Sequence, residues 1–395
     1  METNVIFEKN VFKKLCDTLK NYKQVLIITS PTPKENFLPV FSNMLKERGI
    51  TFWTYCLPKN SIVSSENILK ACSTVKGASA IVSLGAGTVC DVSKIVSTKM
   101  NLPCFVVPTT ISHFGFFNNF AIYKNPLPTF VKTNFPKGVF IDENIINKSP
   151  ETFVRSTLCF SISILEHLFN LELRDFLFQE KIVNIEKLKL KIKQIEELTC
   201  WLSVSKNFTI LNLMDYVFDL SQILKNQDKC SNLLFASMLN SSTLKNNFGE
   251  RALLCSQTLL NVYYQFLKQN VITPKNTPDR EKLIHLLCKT PINSLLPSNF
   301  SPENVFDDFI NSSNYLLNQK LIFNIQKNKT AFSNLCAEKS NEISKFMKKF
   351  KMVFSSNDIR MIDENNLLSS LELLPLFSET FFPKIISRFG YLNVV

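Results

Sequence analysis

The stretch Ser83-Leu-Gly-Ala-Gly-Thr-Val-Cys-Asp-Val-Ser-Lys94 (SLGAGTVCDVSK) decides the fold, because two glycines separate an apolar run from a helical pattern. Residues 80–84 have the length and composition of a buried strand, and residues 89–98 have the apolar spacing of a helix. Such a junction points backbone N–H groups and the positive end of a helix dipole at one place, where anions bind. The glycines alone fit a phosphate-binding turn and a tight turn without a ligand equally well.

Each residue of this turn has a predicted task. Gly85 and Gly87 give the backbone freedom and allow a phosphate to approach closely. Thr88 is predicted to cap the following helix and to offer its hydroxyl to a phosphate oxygen. A phosphate turn anchors a ligand but does no chemistry, so the function depends on what the rest of the chain supplies.

The first 150 residues alternate between strand-length and helix-length segments. Strand-like runs occur at 25–29 (VLIIT), 51–56 (TFWTYC), 80–84 (AIVSL), 104–107 (CFVV) and 139–141 (VFI). Amphipathic segments of helix length lie at 36–46, 65–75 and 89–98. Strands separated by helices predict crossover connections and a mostly parallel sheet. We therefore predict an α/β, Rossmann-like N-terminal domain with a parallel sheet at residues 1–150.

Beyond Pro150 the pattern becomes helical throughout. Apolar residues recur every three or four positions at 180–198, 208–224, 243–267, 280–288, 304–317 and 331–350, and no convincing strand lies among these segments. We therefore predict an all-α C-terminal domain at residues 151–395.

Composition excludes several classes of protein. The chain has 395 residues, of which 45% are hydrophobic and 20% charged, as expected for a globular protein. Its 11 cysteines form no C-x-x-C pair, which favours free thiols in a reducing compartment over a disulfide framework. The N-terminus lacks an apolar leader, and prolines interrupt the uncharged run at 102–123, so neither a signal peptide nor a membrane span is predicted. We predict a cytoplasmic location.

The net charge of +12 raises the question of an anionic partner. The lysines are spread along the chain and match no nucleic-acid-binding module, so binding to nucleic acid is disfavoured. A basic scaffold, or a protein associated with nucleic acid, is kept as the third functional hypothesis.

Four segments carry a resemblance to a known family. They are 27–34 (IITSPTPK), 85–94 (GAGTVCDVSK), 108–121 (PTTISHFGFFNNFA) and 135–142 (FPKGVFID) with Pro150 behind it. Together they resemble the dehydroquinate synthase and iron-containing alcohol dehydrogenase superfamily, and within it the glycerol-1-phosphate dehydrogenases. The resemblance covers about residues 5 to 160, and beyond that point it concerns architecture alone.

The resemblance implies NAD or NADP as the cofactor, with its pyrophosphate on the glycine turn. The family's cofactor-binding roles fall on Gly85, Ala86, Gly87, Thr88, Asp91, Thr109, Thr110 and Ser112. Ala86 stands where the family has a middle glycine. An alanine is tolerable there only if its φ is negative and its methyl group avoids the phosphate.

The resemblance also implies a divalent metal, held by one aspartate and two histidines of the helical half, that polarises the substrate alcohol. In this sequence Phe160 stands at the expected aspartate and Arg251 near an expected histidine. No histidine occurs between His167 and His285, which leaves the region of the other histidine ligand empty as well. Phe114 replaces a further family aspartate, which is expected beside the nicotinamide. We therefore expect no metal.

The main hypothesis is a glycerol-1-phosphate dehydrogenase-like pseudoenzyme that retains NAD(P) or nucleotide binding and acts through a protein partner or as a homo-oligomer. The alternative is an active, metal-dependent NAD(P) dehydrogenase of a polyol phosphate such as glycerol-1-phosphate. No catalytic residue can be assigned, and the weak candidate is His113, as a general acid or phosphate partner. A packed or capping histidine is the competing interpretation of that residue.

Overall fold

The computed structural model describes residues 3–111, 114–124, 128–179, 183–204, 210–224, 231–239, 248–270, 279–289, 301–349, 364–377 and 381–388. Contacts divide the chain into two compact units. Unit 1 comprises residues 1–125, 129–157 and 201–226, and unit 2 comprises 126–128, 158–200 and 227–395. The segment 201–226 thus groups with the N-terminal unit, although it belongs to the predicted helical half. The domain boundary at residue 150 stays a prediction.

Unit 1 contains a six-stranded parallel sheet and a separate two-stranded sheet. The strands are β1 (Asn4–Phe7), β2 (Gln24–Thr29), β3 (Thr51–Cys56), β4 (Ala80–Gly85), β5 (Cys104–Pro108), β6 (Phe120–Lys124), β7 (Pro128–Lys132) and β8 (Gly138–Ile141). The large sheet has the order β1-β8-β5-β4-β2-β3, and β6 pairs with β7. All five strands predicted from sequence are present, and β1, β6 and β7 are additional.

The central strands are largely apolar because helices cover both faces of the sheet. Every residue of β4 is buried, as are residues 25–29 of β2. Strand β3 forms one edge of the sheet, and its residues 52–56 are only half-buried.

Short helices connect the strands of unit 1. They are α1 (Val11–Leu19), α2 (Pro31–Asn36), α3 (Leu38–Glu47), α4 (Ser65–Ser73), α5 (Gly87–Met100) and α6 (Glu143–Ile146). The Asp142 carboxylate caps α6 by accepting from the N–H of Asn144 at 2.8 Å, and it also accepts from the N–H of Val11 at 3.1 Å. One side chain thereby joins the starts of α1 and α6, which are far apart in sequence.

The remaining helices, in chain order, are α7 (Glu151–Phe178), α8 (Ile185–Val204), α9 (Ile210–Leu224), α10 (Ser231–Met238), α11 (Phe248–Leu267), α12 (Arg280–Lys289), α13 (Pro302–Ser313), α14 (Gln319–Lys349), α15 (Glu364–Phe377) and α16 (Phe381–Arg388). Unit 2 is helical in the residues that the structure describes, in agreement with the predicted all-α half. The described parts of the predicted segments 243–267 and 331–350 fall on α11 and α14, whereas residues 243–247 and 350 lie outside the described residues. Helix α7 lies in the predicted all-α half but corresponds to none of the predicted segments. Within the described residues, no helix is both long and apolar enough to span a membrane.

Two buried polar groups tie the helices of unit 2 together. The Asn232 amide donates to the Ser163 carbonyl at 3.1 Å and to the Ser256 hydroxyl at 2.9 Å. The Glu166 carboxyl accepts from the Asn170 amide and from the Tyr263 hydroxyl, both at 2.7 Å. Buried polar groups that find partners fix how helices pack, because no other arrangement satisfies them.

Candidate functional site

The glycine turn lies where β4 ends and α5 begins. Ala86 is the N-cap residue of α5, with φ −89° and ψ −167°, so the residue that replaces the family's middle glycine has the negative φ that an alanine requires. Gly85 has no room for a side chain, because a Cβ there would lie 2.7 Å from Cγ2 of Val89. The glycine at 85 is therefore needed for the close packing of the turn against α5.

The first turn of α5 offers backbone donors. The N–H of Cys90 bonds the Ala86 carbonyl at 3.0 Å, so the N–H groups of Gly87, Thr88 and Val89 precede the first intrahelical bond. They lie at the positive end of a 14-residue helix. The prediction that Thr88 caps the helix is wrong, because Ala86 holds the N-cap position and the Thr88 side chain, half-exposed, projects from the first helical turn.

Topology places this turn at a crevice. Strand β2 has β3 as its neighbour on one side and β4 on the other. The chain runs from β2 to β3 in one direction along the sheet and then crosses back to β4 and on to β5, so the direction of the connections changes between β2 and β4. In open parallel sheets, ligands bind beyond the carboxyl ends of the strands at such a point. The Thr29 hydroxyl donates to the Leu84 carbonyl at 2.8 Å and joins the ends of both strands.

The segment after β5 lies beside the turn. The N–H of Thr109 donates to the Gly85 carbonyl at 3.1 Å. Thr110 is 8% exposed, and its hydroxyl oxygen has no hydrogen-bond partner within the described part of the chain. A buried hydroxyl without a partner is costly, so its presence next to the backbone donors of this turn fits a ligand that supplies the missing bond.

Asp91 and Lys94 lie one helical turn apart on α5, and both are buried. The Lys94 ammonium, with no exposed surface, donates to the Gly115 carbonyl at 2.7 Å, to the Asn118 amide oxygen at 3.0 Å and to the Phe120 carbonyl. It also pairs with Asp91 at 3.4 Å, and Asp91 accepts from the N–H of Ile122 at 3.2 Å. We call this pair and the loop 115–122 around it the clamp.

The clamp changes the interpretation of Asp91. In the structure both of its carboxylate oxygens have protein partners, through which it holds the loop that follows the 109–111 segment; its predicted cofactor-binding role stays a prediction. The role of Lys94 was missed from sequence. The three-residue spacing of Asp91 and Lys94, which puts both on one helix face, was the available signal.

Aromatic side chains fill the space next to the clamp. Phe116 and Phe117 are 0% and 2% exposed. The Phe117 ring packs edge-on against the Phe218 ring of α9, with 5.2 Å between ring centroids. Helix α9 thus joins unit 1 through an apolar contact with the segment that follows the predicted nucleotide-binding residues.

Several predicted residues have no described geometry or lie elsewhere. Ser112 and His113 fall outside the described residues, and the side chain of Phe114 is likewise not described. His167 is buried within α7, and His285 is exposed on α12. Cys90, on the helix that starts at the turn, is poorly suited to act as a nucleophile, because it is buried and burial raises the pKa of its thiol to about 12.

Phe160 lies in the N-terminal half of α7, and Arg251 lies in the first turn of α11. The Ser256 hydroxyl on α11 donates to the Ser163 carbonyl on α7 at 2.8 Å. Phe160 precedes Ser163 by three residues, and Arg251 precedes Ser256 by five. Both side chains are buried, at 1% and 9% exposure.

These two residues do not fit a metal site. A phenylalanine ring offers no lone pair, and a guanidinium stays cationic and has no acceptor. Burial lowers the pKa of Arg251 from its ordinary value, yet an arginine still repels a divalent ion. Among the described residues, no group of three or more His, Cys, Asp or Glu side chains is placed to hold a metal ion.

Comparisons with known proteins agree with this architecture. Residues 6–150 match the family model of the iron-containing alcohol dehydrogenases. The glycerol-1-phosphate dehydrogenase (NAD(P)+) of Methanosphaera stadtmanae is 32% identical over 140 residues, which are 35% of this chain and 39% of the relative. That of Nitrosopumilus maritimus is 29% identical over 154 residues, which are 38% of this chain and 43% of the relative. The chain thus matches about two fifths of the length of these curated relatives.

Solved structures extend the likeness of fold to the whole chain. The NADH-dependent butanol dehydrogenase A of Thermotoga maritima has a TM-score of 0.59 at 15% identity, over 99% of this chain and 96% of that one. The glycerol dehydrogenase of Schizosaccharomyces pombe has a TM-score of 0.52 at 14% identity, over 89% of this chain and 92% of that one. A Rossmann-like domain followed by a helical domain is therefore the fold of this chain.

Proposed function

We propose that this chain is a glycerol-1-phosphate dehydrogenase-like pseudoenzyme, which binds NAD(P) or a related nucleotide at the turn of residues 85–88 and has lost metal-dependent hydride transfer. The main support for nucleotide binding is the buried hydroxyl of Thr110, which lacks a hydrogen-bond partner within the described residues and lies beside that turn. The matched relatives are named as NAD(P)+ enzymes.

The residues of unit 1 suit a dinucleotide phosphate. The N–H groups of Gly87, Thr88 and Val89 donate to phosphate oxygens, and the helix dipole of α5 favours the negative charge. The Thr88 hydroxyl is half-exposed and adds a further donor. Ala86 presents a methyl group in place of a hydrogen, which restricts the approach of the phosphate, so we expect weaker binding than with a third glycine.

When bound, a nicotinamide supplies a hydride acceptor, but the chain lacks the groups that would prepare a substrate alcohol. In the enzymes that this chain resembles, a metal lowers the pKa of the alcohol. Phe160 and Arg251 cannot bind that metal, because neither side chain offers a lone pair. The buried Phe160 ring instead stabilises the apolar interior of unit 2.

Nucleotide binding is tested by titration calorimetry with NAD+, NADP+, NADH and ADP-ribose on the full chain. Ala86→Glu places a carboxylate at the half-exposed tip of the turn and is expected to abolish binding. Ala331→Glu makes the same change at an exposed position of α14 and should bind as the unmodified chain does. Ala86→Gly is expected to bind at least as tightly. If none of these nucleotides binds the unmodified chain, the proposal of nucleotide binding is wrong.

The proposed loss of metal-dependent hydride transfer is tested in a separate experiment. The chain is purified without chelator, its zinc and iron are measured, and NADH or NADPH formation from glycerol-1-phosphate is followed by absorbance. We expect substoichiometric metal and no turnover. One metal ion per chain together with turnover would support the active dehydrogenase and end the pseudoenzyme proposal.

A further inference from the structure

Within the residues that the structure describes, strand β3 has a neighbouring strand on one side alone, and its own residues are uncharged. It is the last strand of the large sheet, and β2 is its hydrogen-bonded neighbour. Its sequence, TFWTYC, contains no charged residue, proline or glycine. Edge strands in proteins usually carry such residues, because an open, apolar edge is a template for pairing with another strand.

The register of the sheet identifies which backbone groups are open. The N–H of Thr51 donates to the Lys23 carbonyl, and the N–H of Leu57 donates to the Thr29 carbonyl. Successive residues of a strand direct their N–H and C=O groups to opposite sides, so residues 51, 53, 55 and 57 face β2. The N–H and C=O groups of Phe52, Thr54 and Cys56 therefore point outward from the sheet.

Hydrogen-bonding geometry restricts how a second copy of the strand could pair with this one. In an antiparallel pair, outward-facing residues must lie opposite outward-facing residues. The register with the most such pairs sets Phe52 opposite Cys56, and Thr54 opposite Thr54 of the other copy. In that register Trp53 lies opposite Tyr55, twice, and cross-strand aromatic pairs of this kind stabilise a sheet.

We propose that β3 is a dimerisation strand, through which two copies of this chain pair antiparallel about a two-fold axis at Thr54. The strand fits a copy of itself for two reasons. The three outward N–H groups and three outward C=O groups of one copy pair with those of the other copy. The strand itself is uncharged, so two copies meet there without charge repulsion between the paired strands, although the chain as a whole has a net charge of +12.

The helices that flank β3 are consistent with an open edge. Phe52 packs against the apolar core on the face that α3 covers. On the opposite face, the Trp53 indole N–H donates to the carbonyl of Thr74, just beyond α4, at 2.6 Å. Side chains of β3 are thus held on both faces of the sheet, while its residues 52–56 stay half-buried.

Sedimentation velocity over a concentration series tests the proposal. The full chain, of 45.3 kDa, is expected to sediment at twice that mass. Thr54→Pro removes an outward N–H, and proline is tolerated at such an edge position, so the fold should persist. Thr54→Lys puts two lysines face to face in the dimer. Each variant should raise the dimer dissociation constant at least tenfold, whereas Leu190→Lys, on an exposed position of α8, should not change it.

A cross-linking experiment tests the register directly. In a background of Cys56→Ser, Thr54→Cys is expected to form a disulfide-linked dimer under mild oxidation, because directly opposite residues are about 5.5 Å apart between Cα atoms. Thr51→Cys, whose counterpart lies far along the other strand in this register, should not cross-link. A monomeric unmodified chain, a dimer that both Thr54 variants leave intact, or equal cross-linking at 51 and 54 would each overturn the proposal. Nucleotide binding by the variants is measured in parallel and tests a different site.

Discussion

Replacement of Lys94 by methionine tests whether the clamp holds unit 1 together. The substitution keeps most of the side-chain volume and removes the ammonium. It leaves the Asp91 carboxylate without its ion pair and takes the shared donor from the Gly115 and Phe120 carbonyls and the Asn118 amide oxygen. None of these groups gains a replacement from solvent at the position of the ammonium, because Lys94 has no exposed surface.

The expected loss is large. Removing one partner of a buried ion pair destabilises a protein by about 3 to 5 kcal/mol, because the other charge stays buried without compensation. With a urea slope of about 3 kcal/mol/M, that loss lowers the unfolding midpoint by about 1 to 2 M. Asp91→Asn removes the stranded charge, so the double variant Asp91→Asn/Lys94→Met should lose less than the sum of the single variants.

Urea denaturation followed by tryptophan fluorescence measures the effect, since both tryptophans, Trp53 and Trp201, belong to unit 1. Lys70→Met is the matched control. It breaks the Lys70–Glu66 pair of α4, which has an N–O distance of 2.6 Å but is exposed, and it should leave the midpoint unchanged. If Lys94→Met shifts the midpoint no more than Lys70→Met does, the clamp does not stabilise the unit and our reasoning about the buried ammonium is wrong.

Three further outcomes are expected. Gly85→Ala should destabilise the chain by about 1 to 3 kcal/mol and weaken nucleotide binding, because the new Cβ would lie 2.7 Å from Cγ2 of Val89. Thermal unfolding measures the loss of stability, and titration calorimetry measures the loss of affinity. An unchanged stability and an unchanged affinity would contradict the tight packing of the turn. Tyr263→Phe removes the hydroxyl that donates to Glu166 at 2.7 Å and should lower the free energy of unfolding by about 1 to 3 kcal/mol in urea denaturation, whereas a neutral result would mean that this bond contributes nothing. Burial raises the pKa of Cys16 to about 11 and that of Cys90 to about 12, so between about pH 9 and those values the native state binds more protons than the unfolded state. The free energy of unfolding should therefore fall as the pH rises through this range. In reducing buffer, Cys90→Ala should make this dependence of the free energy of unfolding on pH less steep.

The strands of the large sheet were predictable because their signal is local. The runs VLIIT and AIVSL are buried on both faces, so apolar composition alone marks them. Strands β6 and β7, which form a separate two-stranded sheet, were missed, although β6 begins with the apolar run FAIY. Helix α7 was missed because its residues 156–171 are buried on all sides, which removes the periodicity that marks an amphipathic helix.

The candidate site likewise has one part that the local sequence predicts and another that depends on the fold. The sequence by itself determined the glycine turn, the strand before it and the helix after it, because backbone freedom and hydrophobic periodicity act between residues that are close in the chain. It also determined that Phe160 and Arg251 offer no electron pair to a metal, since that property belongs to the side chains themselves.

Only the tertiary structure decided which groups surround Asp91, Lys94 and Thr110. The acceptors of the Lys94 ammonium lie 21 to 26 residues further along the chain, and folding alone brings them to its helix. The same holds for the Thr110 hydroxyl, which lies beside the turn because β5 pairs with β4. A buried polar group is given its role by the partners that the fold places within hydrogen-bonding distance, and these partners are not written in its neighbouring sequence.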